Sequence, residues 1–336
     1  MAEIYTLPKT QEELTTLEKE RMAVYNELLE SRKAQRPLTG RVIQCKPNDK
    51  ASDSKMRVMA VVNYKGWKIL IPIGLMGLDL SSIEEYGREK KESLYKRYIA
   101  SMLGTDVKFM VYPKKEIDSI SSALRMAIGD RSAAMKKEQQ DFYLKVNKTS
   151  GKSKMERAYE DGIIVKGRVV STNKSTCFVD VYGKQVQIPK KEMSWRYVAN
   201  VGDVVRNNDI VNVKITDLAV NHETGEIDMQ ASLRAAQENV VKNNMKLYSE
   251  GTITLGVVTG ISNGYWIQVG DTETGIDVYC KKINCMELPE VGDTVGVTLF
   301  KMDYENGMTF GSVENIVRRA NRWGSVAAVS YTHLRA

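Results

Sequence analysis

Apolar and polar residues alternate through the middle of the chain, between residues 162 and 236. The alternation comes in short runs that are separated by Asn, Gly, Asp and Ser. A period of two predicts strands that bury one face, and the small polar residues predict turns between them. The last run, residues 232–236, opens a helical pattern. The pattern therefore predicts a small barrel of about five strands.

The outward face of this barrel is predicted to carry an aromatic ring and two cations. Successive side chains of a strand point to opposite faces. The inward positions of the second predicted strand hold apolar side chains: Cys177, Val179 and Val181. Phe178 is therefore placed outside, next to Lys166 and Arg168 of the first strand. Such a ring can stack on an unpaired nucleotide base for about 1–3 kcal/mol. The alternative is that Phe178 closes one end of the core.

A similar pattern starts at Gly251 and predicts a further barrel. Here Tyr265 and Ile267 share the inward face, which places Trp266 outside, at the position that corresponds to Phe178. Both copies have paired lysines after the third strand: Lys190 and Lys191, and Lys281 and Lys282. A stacking ring beside cations in two adjacent copies favours nucleic-acid binding. The alternative for Trp266 is a buried position in the core.

A weaker copy precedes these two and begins at Leu38. It repeats Ile-Pro followed by Met at residues 71–76, as the second copy does at residues 188–193. Its second strand, predicted over residues 56–62, is apolar on both faces and lacks an outward aromatic ring. We expect this copy to contact protein, or the helix predicted over residues 81–103, instead of RNA.

Helical segments are predicted around the barrels. Residues 10–35 show apolar side chains at helical spacing, and this helix either packs on the first barrel or docks on a larger partner such as a ribosome. A charged helix over residues 133–159 is interrupted by a polar linker at residues 145–154, and a linker helix is predicted over residues 232–248. The predicted domains are an N-terminal helix (1–36), a degenerate barrel with a helical insertion (37–146), two RNA-binding barrels (147–247 and 248–319) and an unstructured, vector-like tail (320–336).

The second copy also carries a family resemblance. Its runs F-V-D-V, I-P-K-K-E-M-S, D-I-V-x-V-K-I and A-S-L-R-A-A resemble the repeated RNA-binding domain of the ribosomal protein S-one family, a variant of the OB fold. The resemblance implies a mainly β protein with helical additions, built of tandem five-stranded OB-fold barrels joined by linker helices. It also implies a stacking aromatic at Phe178 and a basic face that binds single strands. Asn221 and Asp303 occupy the position where the family has an acid.

The composition and charge of the chain agree with a nucleic-acid partner. The chain of 336 residues has a formal net charge of +7 at pH 7 and a pI near 9.0, which favours a polyanionic partner. The longest apolar run, residues 69–76, is too short to span a bilayer, and the N-terminus does not resemble a signal peptide, so we expect a cytoplasmic protein. The four cysteines are interpreted as free thiols, because the Cys280–Cys285 pair lacks the second ligand pair of a zinc site.

Catalytic chemistry is not predicted. The chain has two histidines, His222 and His333, which are too few for a triad or a histidine metal cluster. It has no glycine-rich dinucleotide fingerprint and no phosphate loop. We therefore expect no enzymatic activity, no metal site and no cofactor.

The leading hypothesis is a protein that binds single-stranded RNA, with bases tolerated and not read. The predicted RNA-binding residues are Phe178, Trp266, Lys166, Arg168, Lys184, Lys190, Lys191, Asn221, Lys281, Lys282 and Asp303. By analogy with the family, the RNA would be messenger RNA at the small ribosomal subunit. The alternative is a structural or interaction protein, of a bacteriophage or mobile element, that uses the barrels as a scaffold for docking on other proteins.

Overall fold

Alternating apolar strands and short helices build the chain. The computed structural model describes residues 11–48, 51, 53–78, 83, 85–112, 120–271 and 274–320. Within these ranges the chain forms three closed or nearly closed barrels with a few helices, so the predicted fold class is confirmed. The predicted tail beyond residue 320 lies outside the described residues.

The first barrel is a six-stranded sheet that closes through an extra strand pairing. Its strands are β1 (Leu38–Pro47), β2 (Val58–Tyr64), β3 (Trp67–Pro72), β4 (Asp106–Val111), β5 (Ile120–Ser121) and β6 (Met126–Asp130). The order is β3-β2-β1-β4-β6-β5, and β3 also pairs with β6 in parallel. The predicted strand start at residue 56 is wrong, because residues 54–57 form a short helix, α2 (Ser54–Arg57). Asp53 caps α2 by accepting a hydrogen bond from the Lys55 backbone N–H.

Two longer helices cover this barrel. They are α1 (Gln11–Ala34) and α3 (Arg88–Ser101). Leu28 of α1 and Ile99 of α3 are fully buried in the same core as Val62 of β2. The N-terminal helix therefore packs on the first barrel, which confirms one of the two predicted alternatives. The expectation that β2 is covered on both faces is also confirmed. Helix α3 begins at Arg88, later than predicted, with Gly87 as its N-cap.

The second barrel has the five predicted strands. They are β7 (Ile164–Thr172), β8 (Thr176–Val181), β9 (Lys184–Pro189), β10 (Ile210–Val220) and β11 (Ile227–Ser232), in the order β11-β10-β7-β8-β9. The predicted inward side chains of β8 are all fully buried: Cys177, Val179 and Val181. Gly167 of β7 lies so close to Val179 that an added Cβ would come within 3.0 Å of its Cγ1. A side chain at Gly167 would therefore crowd the core.

The third barrel is closed. Its strands are β12 (Ile253–Ile261), β13 (Tyr265–Val269), β14 (Ile276–Ile283), β15 (Thr294–Asp303) and β16 (Met308–Arg318), in the order β12-β13-β14-β16-β15. Its core is aliphatic, with Ile267, Val278, Val297 and Leu299 fully buried. Aliphatic side chains fill the interior, and among the aromatic residues of these strands Tyr265 packs against this core, as predicted.

The segments that connect the barrels form shorter helices than predicted. Helix α4 (Arg131–Gln139) continues as a π-helix over Gln140–Leu144, and after a loop α5 (Lys154–Glu160) starts at a Ser153–Glu156 capping box. The linker helix predicted over residues 232–248 is wrong. That segment contains a 3₁₀ turn, the short helix α6 (Val240–Asn244) and a second 3₁₀ turn. The Asn239 side chain caps α6 and so starts a new helix at that point.

The chain divides into two compact units. The first contains residues 1–172, 177–187 and 205–231, and the second contains residues 173–176, 188–204 and 232–336. The second unit therefore combines the third barrel with a segment of the second repeat, residues 188–204.

A helix able to cross a membrane and a cluster of side chains able to hold a metal ion are both absent from the described residues. Within them, no helix combines the length and the apolar character that a membrane crossing requires. In the same ranges, no group of three or more His, Cys, Asp or Glu side chains is placed to hold a metal ion. The four cysteines, all within the described residues, form no disulfide bond, and burial raises the pKa of Cys177 and of Cys280 to about 12.

Candidate nucleic-acid interface

Three aromatic rings lie side by side on the outer face of the third barrel. Trp266 of β13 is the cross-strand partner of Tyr279 of β14, which is the partner of Phe310 of β16. The ring centroids are 5.1 Å apart for Trp266 and Tyr279, and 6.3 Å apart for Tyr279 and Phe310. All three side chains are half-buried, between neighbours along the strands that are mostly buried. The outward position predicted for Trp266 is therefore confirmed.

A fourth ring, from the segment before β10, extends this set. Tyr197 stacks on Trp266 with ring centroids 4.6 Å apart and an angle of 14° between the planes. Its backbone N–H donates to Asp277 Oδ2 at 2.6 Å. Burial raises the pKa of Asp277, although that hydrogen bond and the nearby Arg196 oppose the rise. Gly260 leaves room for the ring, since an added Cβ would come within 3.0 Å of it. We call Tyr197, Trp266, Tyr279 and Phe310 the aromatic row.

Lysines flank both ends of the aromatic row. Lys190 Nζ lies 5.8 Å from the centroid of the Tyr197 ring, and Lys301 Nζ lies 5.9 Å from the centroid of the Phe310 ring. Cations at this distance from aromatic rings interact with their faces. The other lysines that the sequence predicts for this unit are exposed: Lys191, Lys281 and Lys282. The row therefore offers stacking surfaces between positive charges.

Asp303 has a structural role in this unit. Its carboxylate accepts hydrogen bonds from the backbone N–H and the side-chain amide of Asn306, at 3.1 and 2.8 Å. These bonds hold the pKa of Asp303 below its usual range. The carboxylate thus closes the turn between β15 and β16. Its predicted role toward RNA stays a prediction.

On the second barrel, Phe178 lies on the outer face but is not fully open. Its ring is half-buried and lines a cavity together with side chains of α3 and α4. Lys166 is exposed on the neighbouring strand. Lys184 Nζ donates to the backbone oxygen of Ile227 at 2.6 Å and so bridges β9 and β11. Of these two lysines, Lys166 is the more available to a phosphate.

Arg168 is engaged within the first unit. Its Nη1 donates to Asn208 Oδ1 at 2.7 Å and lies 3.5 Å from Asp106 Oδ2. Asp106 also accepts a hydrogen bond from Arg41, and this bond is the main reason why its pKa lies below the usual range. Arg168 therefore joins the first two barrels, which limits its freedom to reach a phosphate.

Asn221 is exposed and organises a turn. Its Oδ1 accepts hydrogen bonds from the backbone N–H groups of Glu223 and Thr224, at 2.9 and 3.1 Å. This is the local turn-forming use of asparagine. As for Asp303, a direct role in RNA binding stays a prediction.

The sequence reasoning missed four residues of the third-barrel site: Tyr197, Tyr279, Lys301 and Phe310. The same alternation that placed Trp266 outside also places Tyr279 outside, between the buried Val278 and Cys280. That signal was therefore present in the sequence. No local pattern marks Tyr197, because its position depends on a contact made far along the chain.

Comparisons with known proteins agree with the predicted domain type. Residues 158–230 match the family model of the S1 RNA binding domain. The small ribosomal subunit protein bS1 of Mycolicibacterium smegmatis is 26% identical over 170 residues, which are 48% of this chain and 34% of that protein. The second barrel is therefore an S1-type RNA-binding domain with an OB fold, as predicted.

Two further comparisons are weaker. A 4-hydroxy-3-methylbut-2-enyl diphosphate reductase of Clostridium acetobutylicum is 24% identical over 240 residues, which are 70% of this chain and 32% of that protein. A crystal structure of an a/eIF2alpha-aDim2p-rRNA complex from Pyrococcus horikoshii matches 26% of this chain and 58% of that chain, at 20% identity and a TM-score of 0.19. The chain spans about a third of the length of these two curated relatives, 34% and 32%.

Proposed function

We propose that this chain, whose second barrel is an S1-type RNA-binding domain, holds single-stranded RNA on the outer faces of its second and third barrels and does so without catalysis. The observation that carries the proposal is the aromatic row with Lys190 and Lys301 at its two ends. The proposed contacts on the second barrel are Phe178 and Lys166.

Stacking would supply most of the affinity. Each base that stacks on an aromatic side chain contributes about 1–3 kcal/mol, whatever its identity. The four rings of the row are contiguous, with 4.6 to 6.3 Å between neighbouring centroids, and their planes meet at 14°, 51° and 87°, so they offer bases several ring faces in different orientations. Tyr197 covers one face of Trp266, and a base on that face would replace the Tyr197 ring.

Charge would supply the dependence on salt. The net charge of +7 and the exposed lysines of both units attract the phosphate backbone. Each phosphate neutralised on a single strand adds about −0.7 to the slope of log K against log salt concentration. Binding should therefore weaken steeply as the salt concentration rises.

The proposed setting is translation in the cytoplasm, with messenger RNA and the small ribosomal subunit as partners. The support is the match to a small ribosomal subunit protein, over about a third of the length of that relative. A function without catalysis is supported by the same relative, whose name denotes a ribosomal protein.

A filter-binding titration with a 20-nucleotide RNA tests the proposal. We expect Phe178→Ala and Trp266→Ala each to weaken binding about 5- to 150-fold, the equivalent of one lost stacked base. The matched control is Tyr86→Ala, which removes an aromatic ring that is 41% exposed and lies before α3. This substitution should leave the RNA affinity unchanged. The hypothesis that these faces bind RNA is wrong if the parent fails to bind at low salt, or if the combined Phe178→Ala and Trp266→Ala variant binds as the parent does. Either result would support a role as a protein-docking scaffold.

A further inference from the structure

A cavity of about 410 Å³ lies on the first barrel, within the first unit, and the proposed function does not use it. It opens between α1, the first residue of β3 and the turn that joins β5 to β6. Its volume lies in the range of about 300–1,000 Å³ that is typical of small-ligand sites. We call this cavity the Trp67 pocket. Its main lining side chains are Arg21, Met22 and Tyr25 of α1, Trp67 of β3 and Arg125 of the turn.

One face of α1 forms a wall of the Trp67 pocket. Four of its residues recur at helical spacing and so share that face: Glu18, Arg21, Met22 and Tyr25. The opposite side is aromatic, because Trp67 is 3% exposed and its ring centroid lies 6.2 Å from that of Tyr25. Met22, by contrast, is 59% exposed. A large exposed apolar side chain next to two rings is a surface that gains stability when a partner covers it.

Two arginines add positive charge to this apolar surface. The backbone of Arg125 is held beside Trp67, because the Lys68 N–H donates to the Arg125 backbone oxygen at 2.9 Å. Among the described residues, none forms a hydrogen bond or an ion pair with the guanidinium group of Arg21 or of Arg125. Both groups are therefore available to an anion. A guanidinium group matches a carboxylate especially well, since two of its N–H groups can donate in parallel to the two oxygens.

The charges of the pocket fit a ligand with a single negative charge. Two guanidinium groups and the carboxylate of Glu18 leave one net positive charge. RNA carries a negative charge at every phosphate, and Glu18 would repel such a strand. A C-terminal residue carries one carboxylate, and its side chain leaves from the same Cα. One residue can therefore supply the anion and the apolar group within a single cavity.

We infer that the Trp67 pocket binds the C-terminal residue of a partner protein. Its apolar side chain packs against Tyr25 and Trp67, and its terminal carboxylate accepts hydrogen bonds from Arg21 and Arg125. The inference does not depend on RNA binding, because the pocket belongs to the first unit and the aromatic row belongs to the second. It gives the first barrel a protein-binding role of its own.

The test follows the indole N–H signal of Trp67 by NMR, on the full chain labelled with ¹⁵N-tryptophan. The chain has four tryptophans, so four indole signals are expected, and the signal that Trp67→Phe removes belongs to Trp67. The probe is the hexapeptide Gly-Ser-Gly-Ser-Gly-Phe with a free C-terminal carboxylate. We expect it to shift the Trp67 signal and to reach saturation, with a Kd below about 1 mM.

Two changes to the probe separate the contributions of charge and ring. The same peptide with a C-terminal amide lacks the negative charge and should bind at least about tenfold more weakly, which corresponds to one lost charge-assisted hydrogen bond. A peptide that ends in serine keeps the carboxylate and loses the ring. It should also bind at least about tenfold more weakly, because less apolar surface is covered.

Substitutions in the chain place the carboxylate on the arginines. Arg125→Gln should weaken the free-acid peptide about tenfold and leave the amide peptide unchanged, so that the two peptides bind almost equally. Lys68→Gln is the matched control, since it removes the same charge from an exposed side chain next to Trp67 that does not line the pocket. It should keep the preference for the free acid. Unchanged positions of the other three indole signals confirm that each variant is folded.

The outcomes decide the inference independently of RNA binding. A saturable shift of the Trp67 signal, weakened by the amide and made insensitive to it by Arg125→Gln, supports the pocket. No saturable shift below about 1 mM peptide, equal binding of the free acid and the amide by the parent, or equal losses in Arg125→Gln and Lys68→Gln overturns it. RNA binding is measured separately, on the indole signal of Trp266.

Discussion

Replacing Lys190 and Lys301 with glutamine removes the two ammonium groups at the ends of the aromatic row. Their Nζ atoms lie 5.8 and 5.9 Å from the rings of Tyr197 and Phe310, so phosphates of a strand stacked on the row would pass close to both. Glutamine keeps the length and polarity of the side chain approximately and removes the charge. The rings themselves stay in place, so stacking is preserved.

The expected effect follows from counterion release. Each neutralised phosphate contributes about −0.7 to the slope of log K against log salt concentration, so two lost contacts make the slope shallower by about 1.4. Between about 50 and 200 mM salt, a fourfold change, the loss of affinity should then be about sevenfold smaller in the double variant than in the parent. The assay is fluorescence anisotropy with a labelled RNA of about 20 nucleotides at four or more salt concentrations.

The matched control removes two exposed lysines from α1 by Lys19→Gln and Lys33→Gln. This variant has the same net charge as the Lys190→Gln, Lys301→Gln variant but keeps the row intact. We expect its slope to equal that of the parent. An unchanged slope in the row variant, or an equal change in both variants, would refute the reasoning, because the effect would then reflect net charge and not position.

Two further predictions concern stability. Gly167→Ala should lower the free energy of unfolding of the first unit by about 1–3 kcal/mol, because the added methyl group overpacks against Val179. Gly202→Ala is the control and should be close to neutral, because no atom lies within 4 Å of the added Cβ. Urea denaturation measures both effects. Glu27→Gln should destabilise the protein at pH 7 and not at low pH. The hydrogen bond from Lys65 lowers the pKa of Glu27, so its contribution is complete above the ordinary value of 4.5 and disappears as the pH falls through the lowered value; equal urea midpoints at pH 7 would contradict this.

Local alternation was enough to predict the second and third barrels and which side chains of their strands point inward or outward. The pleat alone places Cys177 and Val179 inside and Phe178 outside, and the structure agrees because β8 has one apolar face and one mixed face. The same rule gives Trp266 its outward position. What the pattern could not supply is the surroundings of these rings.

Long-range contacts explain the missing part. Tyr197 stacks on Trp266, and its backbone N–H donates a hydrogen bond to Asp277. The spacing of residues in the sequence does not predict this bond. The sequence predicts Arg168 as a phosphate ligand. In the structure its guanidinium pairs with the Asp106 carboxylate of the first barrel. The helix predicted over residues 232–248 failed for a local reason, because asparagines within it favour caps over helix interiors.

The most direct test of the central claim is to locate the RNA on the folded protein. The full chain is irradiated with ultraviolet light in complex with a single-stranded RNA, and the crosslinked peptides are identified by mass spectrometry. The account predicts crosslinks to the aromatic row, at Trp266, Tyr279 or Phe310. Crosslinks confined to the first barrel or to α1, with none on these strands of the third barrel, would contradict it.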